Sequence, residues 1–208
     1  MSELSARSGL AIATIKYYLR EGLVPPGIRS AANQANYDED HVHRLRLIRA
    51  LVEVGELPIA TVRAVLGAVD DSEMSLHQVL GVAHHSLAMR SAQSGPSPAV
   101  EAVADVDRFL EDRGWEVAPD APARRDLAKA LATLQGLGWA VDAQVFARYA
   151  TAADRLAAFE LRQIPRRTGR AQTVEAAVVG TVVFEAALLA LRRMAEEHYS
   201  ATRFSAGP

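Results

Sequence analysis

Between Ile12 and Arg20 the chain reads IATIKYYLR, and this short stretch carries its most distinctive chemistry. Lys16 and Arg20 supply cations, Tyr17 a phenol and Thr14 a hydroxyl, with no carboxylate before Glu21. Such donors hold phosphate oxygens and reach base edges in a groove of DNA. If the stretch is a helix, Ile15, Tyr18 and Leu19 share one side, and Ala13, Lys16, Tyr17 and Arg20 share the other. One side packs and the other reaches out. An ordinary amphipathic helix with a solvated basic face has the same pattern, so the helix alone does not decide between the two.

The flanking residues are those needed to present such a helix. From Leu4 to Tyr37 there are two short helical patterns separated by Gly9 and Leu10, then a Pro/Gly turn, then a segment free of acids as far as Asp38. Gly9 sits where the chain must reverse tightly, at a position where a left-handed backbone costs glycine least. This is the outline of a helix-turn-helix followed by a wing.

Thr14, Ile15, Lys16, Tyr17 and Tyr18, followed by Glu21, Gly22, Leu23 and Pro25, closely resemble the start of MerR-family transcriptional regulators. The resemblance runs from Glu3 to about Leu66. It implies a winged helix-turn-helix, dimerisation through a helix beyond it, and binding to pseudo-palindromic promoter DNA, with RNA polymerase affected indirectly. It also implies the contact residues: Lys16 and Tyr17 nearest the DNA, Thr14 and Arg20 assisting, Arg29 and Tyr37 anchoring the wing. The chain departs from the family pattern in places. Ala11 stands where a capping serine is usual, Leu19 where a glutamate follows the tyrosine pair, and Asn33, Gln34 and Ala35 where the wing has glycine, tyrosine and a second arginine. One expected helix cap and one expected phosphate contact are therefore missing.

Composition narrows the options further. With 208 residues and half of them hydrophobic, the chain can bury a real core. A net charge of -2 and a pI near 6.3 exclude coating of nucleic acid by bulk charge. DNA binding has to come from a local patch. Met1 to Arg49 holds seven Lys/Arg against five acids, and no acid lies between Glu21 and Asp38. There is no cysteine. That removes thiolate metal sites, disulfide switches and thiol nucleophiles, including the thiol sensing used by several MerR-type regulators. No signal-peptide pattern opens the chain, and the longest apolar run, 176–191, is short for a membrane span. The expectation is a cytoplasmic protein with no membrane partner.

Beyond the wing the sequence reads as helices throughout. Residues 38–55 have acids first, arginines later and a closing glycine, with Val42, Leu45, Ile48 or Arg49, and Val52 along one stripe. Pro58 opens a short helix to Leu66, with Ile59, Val62 and Leu66 inward. Arg44 and Arg46 could touch the DNA backbone or simply be solvated. Ser75 is placed to cap a helix over 76–90, where Leu76, Leu80, Ala83, Leu87 and Arg90 alternate in steps of four and three. This is the candidate dimerisation helix, although an intramolecular packing helix would read alike. Residues 91–98 form the clearest linker.

Four more helices are expected, over 99–113, 121–136, 142–163 and 171–198. Gly114 with Trp115 and Gly138 with Trp139 suit helix C-caps. The run 176–191 is apolar nearly all round, so it belongs at the centre of a C-terminal bundle or in a subunit interface. The expected fold is mainly α: a winged helix-turn-helix domain over 1–70, the candidate dimerisation helix over 71–93, and an all-helical effector-binding or oligomerisation domain over 94–208.

No phosphate-binding loop, nucleophile elbow or zinc-spaced histidine pair is present, so nothing argues for an enzyme, a cofactor or a bound metal. Two readings follow. The first is a dimeric, sequence-specific regulator of promoter DNA, its C-terminal region sensing a small organic effector or setting subunit geometry. The second is a protein-interaction adaptor or anti-regulator with weak DNA binding, which the near-neutral charge and missing wing arginine also fit.

Overall fold

A computed structural model describes residues 1–31, 34–92, 98–164 and 169–204; within these, the side chains of 29–31, 34, 89–92 and 204 lie outside the description. The chain is mainly α and divides into two compact units, Met1–Val79 with Gly169–Pro208, and Leu80–Thr168. The last helix therefore groups with the N-terminal residues.

In the first unit, α1 (Ser2–Ser8) ends on Gly9 at φ 72°, the left-handed cap expected there, with its N–H donating to the Ser5 carbonyl. The turn into α2 (Ile12–Arg20) is fastened by the Ser5 hydroxyl, which donates to the Leu10 carbonyl at 2.6 Å. Ala11 gives α2 no side-chain cap, as its residue type dictates. The wing is an antiparallel pair, β1 (Ile28–Ala31) and β2 (Gln34–Asn36), with Ile28 opposite Asn36 and Arg29 opposite Ala35.

Asp38 then caps α3 (Glu39–Arg49), its carboxylate accepting from the His41 backbone N–H at 3.2 Å. Val42, Leu45 and Ile48 are buried as the stripe requires, and Arg49 is exposed. The stripe does not continue to Val52. Residues Ala50–Val54 form a π-helical turn, in which the Gly55 N–H reaches back to the Ala50 carbonyl. The wider turn brings Leu51 inward and leaves Val52 half-buried. Gly55 is the C-cap of this turn, where the closing glycine was expected, with a right-handed φ of -73°. Its role is close approach, since a Cβ there would lie 2.7 Å from the Leu51 carbonyl oxygen and 3.0 Å from Val182 Cγ1.

The next helix, α4 (Ile59–Asp70), runs four residues past Leu66 and buries Val62, Val65, Leu66, Ala68 and Val69. Residues Val65, Ala68 and Val69 continue the apolar side, so nothing stops the helix at Leu66. Ser75 caps α5 (Leu76–Ala92) reciprocally with Gln78: the Gln78 N–H donates to the Ser75 hydroxyl, and the Ser75 N–H to Gln78 Oε1. On α5 the buried positions are Val79, Ala83, Ser86 and Leu87, and Leu76 and Leu80 are half-buried. Arg90 and most of the linker lie outside the described side chains.

The last helix, α9 (Arg170–Phe204), runs for 35 residues. Val174, Ala177, Val178 and Val182 are buried. Its start is tied down by Arg170, whose guanidinium donates to the Asp71 carbonyl at 2.8 Å and to that of Met74. Contacts of α9 with the π turn and α4 make it part of the first unit's packing. By length and composition it could cross a membrane, although little of it is buried.

The second unit is built from α6 (Val100–Asp112), α7 (Pro122–Gly136), a 3-10 turn (Ala143–Phe146) and α8 (Ala147–Gln163). Its core comprises Ala102, Val106, Phe109, Leu110, Ala128, Leu131, Ala143 and Ala150. Both expected glycine caps are present, Gly114 at φ 65° and Gly138 at φ 86°. The Trp115 and Trp139 N–H groups reach back to Leu110 and Leu134. Trp115 packs on the core, and Trp139 is largely exposed. Beyond Ala150, α8 shows nearly every residue to solvent.

Candidate nucleic-acid interface

Burial sorts α2 along the line its spacing predicts. Ile15 and Tyr18 are buried and Leu19 half-buried, whereas Ala13, Lys16, Tyr17 and Arg20 are exposed. Thr14 is half-buried at the border. Burial, followed by the charge of Glu53, raises the Tyr18 phenol above its ordinary value. Tyr18 therefore stays a neutral packing residue, and the polar work falls to Tyr17, whose ring lies 5.7 Å from it.

The disposition of cations around α2 separates structural from available charge. Arg44 donates to the Leu23 carbonyl at 2.8 Å and holds Asp70 with both terminal nitrogens, at 2.6 and 2.7 Å. Arg46 donates to the Arg7 carbonyl, and Arg7 is paired with Glu39. Arg49 pairs with Glu53 at 2.7 Å. Arg44 and Arg46, which the sequence offered as backbone contacts, thus hold internal partners. Among the described residues, neither Lys16 nor Arg20 forms an ion pair.

One contact was not legible in the sequence. Glu21, the acid that ends the cationic stretch, accepts from Arg63 at 3.0 Å. Arg63 comes from α4, and the same guanidinium also binds the Glu21 carbonyl. The only carboxylate adjoining α2 in sequence is thereby offset, which keeps the local field favourable to phosphate.

The wing joins α3 through Tyr37. Its ring stands edge-on to His41 at 5.2 Å and lies over Gly27, where a Cβ would fall 2.9 Å from the ring and 2.7 Å from the Asn36 carbonyl oxygen. Tyr37 is half-buried, so it holds the wing base in addition to any contact its hydroxyl makes. Arg29 lies on β1, with its side chain outside the described residues. His41 Nδ1 lies 2.5 Å from Asp38 Oδ1, and this contact, helped by the His41 backbone N–H, holds the Asp38 carboxyl below its ordinary value. Across the same unit, burial raises Glu175 of α9 above the usual carboxylate range, against the opposing charge of His43 at 3.7 Å. Among the described residues, no group of three or more His, Asp or Glu is placed to hold a metal ion.

This geometry has known counterparts. Residues 1–68 match the family described as MerR HTH family regulatory protein. The HTH-type transcriptional regulator HmrR of Sinorhizobium medicae is 26% identical over 133 residues, covering 62% of this chain and 86% of that protein. The ZntR homolog of Haemophilus influenzae is 40% identical over 45 residues, 22% of this chain and 33% of that protein. A crystal structure of SCO5550 from Streptomyces coelicolor A3(2), assigned there as a candidate transcriptional regulator, is 40% identical with a TM-score of 0.74. It spans 100% of this chain and 98% of its own. The helix-turn-helix, the wing and these matches agree, and the chain belongs to the MerR HTH family, whose members are transcriptional regulators rather than enzymes.

Proposed function

We propose that this regulator acts as a dimer in the cytoplasm on a pseudo-palindromic promoter site, read by α2 and the wing of residues 1–70. Lys16 and Tyr17 meet the base edges, Thr14 and Arg20 assist, and Arg29 and Tyr37 anchor the wing on phosphate or in the minor groove. The observation that carries this reading is the exposed Lys16–Tyr17–Arg20 side of α2, whose cations have no internal acid while Arg44 and Arg49 do. RNA polymerase responds indirectly, through the shape of the bound promoter. The helical region over 94–208 senses a small organic molecule or sets the subunit geometry. Relatives carry names such as heavy metal-dependent transcription regulator. With no cysteine in this sequence, metal sensing through thiolates has no chemistry to use here.

The test is binding of the purified full chain to the DNA upstream of its own gene at two salt concentrations. Tight, salt-dependent binding to a two-fold symmetric site is the expected result. Equal affinity for random DNA, with and without cell extract, would overturn it. The adaptor reading gains from one observation, the exposed apolar residues Val145, Tyr149, Leu156 and Phe159 at helical spacing on α8 and the turn before it. An adaptor would pass through a heparin column at low salt.

A further inference from the structure

Helix α2 is short and weakly tied at its start. At nine residues it falls below the roughly 12–15 at which a helix holds in water by itself, so its place depends on the elements around it. Ala11 offers it no side-chain cap. Its packing rests on the buried side chains of Ile15 and Tyr18, which lie about 4.5 Å apart along the axis at 1.5 Å per residue. A base that narrow decides which side of α2 faces inward, but it fixes the tilt of the axis poorly.

The far end is where α4 takes hold. Past Arg20 the chain closes α2 with Gly22 at φ 69°, whose N–H donates to the Leu19 carbonyl at 3.2 Å while the Leu23 N–H donates to that of Tyr18 at 3.0 Å. The carbonyls on either side of Gly22 go to two arginines. Arg63 donates to the Glu21 carbonyl at 3.1 Å and to the Glu21 carboxylate at 3.0 Å. Arg44 donates to the Leu23 carbonyl and is itself gripped by Asp70. Arg63 and Asp70 stand two turns apart on α4, so a single face of that helix addresses both carbonyls.

The two arginines differ in exposure. The Arg44 side chain is 15% exposed, whereas that of Arg63 is 53% exposed and its partner Glu21 37%. An ion pair that open contributes little to stability. What it does is join the end of α2, next to Arg20, to a different helix. We infer that Arg63 is a positioning residue for operator reading: by holding the Glu21 carbonyl it sets the tilt of α2, and so how Lys16, Tyr17 and Arg20 meet the base edges, without touching DNA itself. This deepens the DNA-reading role proposed for α2 and rests on it. Hydrogen bonds to base edges weaken steeply with distance and angle, whereas attraction to phosphate reaches over a Debye length. Arg63 therefore bears on discrimination between sequences and little on affinity for DNA in general.

The test compares the full chain with Arg63→Ala in two measurements. Without DNA, hydrogen exchange at the Gly22 and Leu23 amides, which close α2, should quicken about tenfold in the variant. The urea midpoint should stay where it was, as suits an exposed pair. With DNA, the ratio of affinities for the DNA upstream of its own gene and for random DNA should fall about tenfold, within the range that base-edge contacts discriminate. Binding to random DNA and its salt slope should not change. Arg63→Lys, whose ammonium still reaches the Glu21 carbonyl, should recover part of the ratio. A merely structural role would lower the active fraction on both DNAs alike and leave the ratio alone, which would overturn the inference. Equal loss on both DNAs with the salt slope reduced by about one would also overturn it, by making Arg63 a phosphate contact. A wild-type chain with no operator preference would instead remove the DNA reading, and with it the purpose of the hold, which the exchange rates still measure.

Discussion

Helix α2 buries one side and leaves the other bare, whereas α9, in the same unit, buries residues of its first half and leaves its second half bare, and the bare surfaces differ in kind. On α2 the exposed residues are Lys16, Tyr17 and Arg20, and the buried ones Ile15 and Tyr18. On α9 the buried Val174, Ala177, Val178 and Val182 give way to exposed Phe184, Leu188, Leu191 and Met194. A polar bare side is stable in water and waits for phosphate, whereas an apolar one costs free energy until something covers it. Within one small unit, the two bare surfaces are thus set apart by charge.

The largest expected effect comes from cutting the core of the first unit at Leu45 of α3, set beside a cut at Leu188 of α9. Leu45→Ala removes a fully buried side chain and should cost about 2–5 kcal/mol in denaturant unfolding. Leu188→Ala should move the unfolding of dilute protein by no more than about 0.5 kcal/mol and act on association instead. If both destabilise alike, the second half of α9 is covered inside its own chain.

Next in size is the polar side itself. Lys16→Ala and Tyr17→Ala should each abolish preference for the operator over random DNA, with the circular dichroism spectrum unchanged. Base-edge contacts of this kind discriminate by about 1–3 kcal/mol. Near-normal operator affinity in both variants would remove α2 from its role. Arg20→Ala should act more evenly across sequences and lower the salt slope by about one, as loss of a phosphate contact does.

Arg44→Ala sharpens the division among cations. Losing the bidentate grip on Asp70 and the bond to Leu23 should cost about 1–2 kcal/mol of stability. The salt slope of DNA binding should stay as it was, because Arg44 serves the fold. A reduced slope would move Arg44 into the interface.

The smallest effect is in acid. Asp38 has its carboxyl held below the ordinary 3.8, so its charged form favours the folded state. That contribution is present above pH 3.8 and is lost as pH falls through the lower folded value. Asp38→Asn should flatten this acid limb in urea titrations between pH 2 and pH 4, roughly the window set by the ordinary aspartate value. Glu175 runs the other way. Its carboxyl is raised above 4.5, so ionisation costs stability as pH rises past that point, and Glu175→Gln should stabilise the fold near neutrality.

Much of this was legible in the residues. The α2 sides, the Gly9 reversal, the Ser75 cap and the Gly114 and Gly138 terminators each depend on neighbours within a few positions, which is the range over which spacing and residue type dictate structure. The missed or misread features depend on distant neighbours. Gly55 closes its helix as its place suggested, but the close approach of Val182 that also calls for glycine there comes from far along the chain. Arg44 looked available because Asp70 is 26 residues away, and the Arg63 partner of Glu21, 42 residues away, had no local signal.

The sequence by itself therefore determined the helical elements, the cationic side of α2, the absence of thiol chemistry and the family. Only the tertiary structure decided which arginines are spent on the fold, that Ala83 and Leu87 of α5 are buried while Leu76 and Leu80 are half-buried, and that α9 groups with the first unit and leaves its second half bare. The reason is physical: a helix's sides are fixed by a period of 3.6 residues, but which surface covers a side depends on contacts that no local pattern encodes.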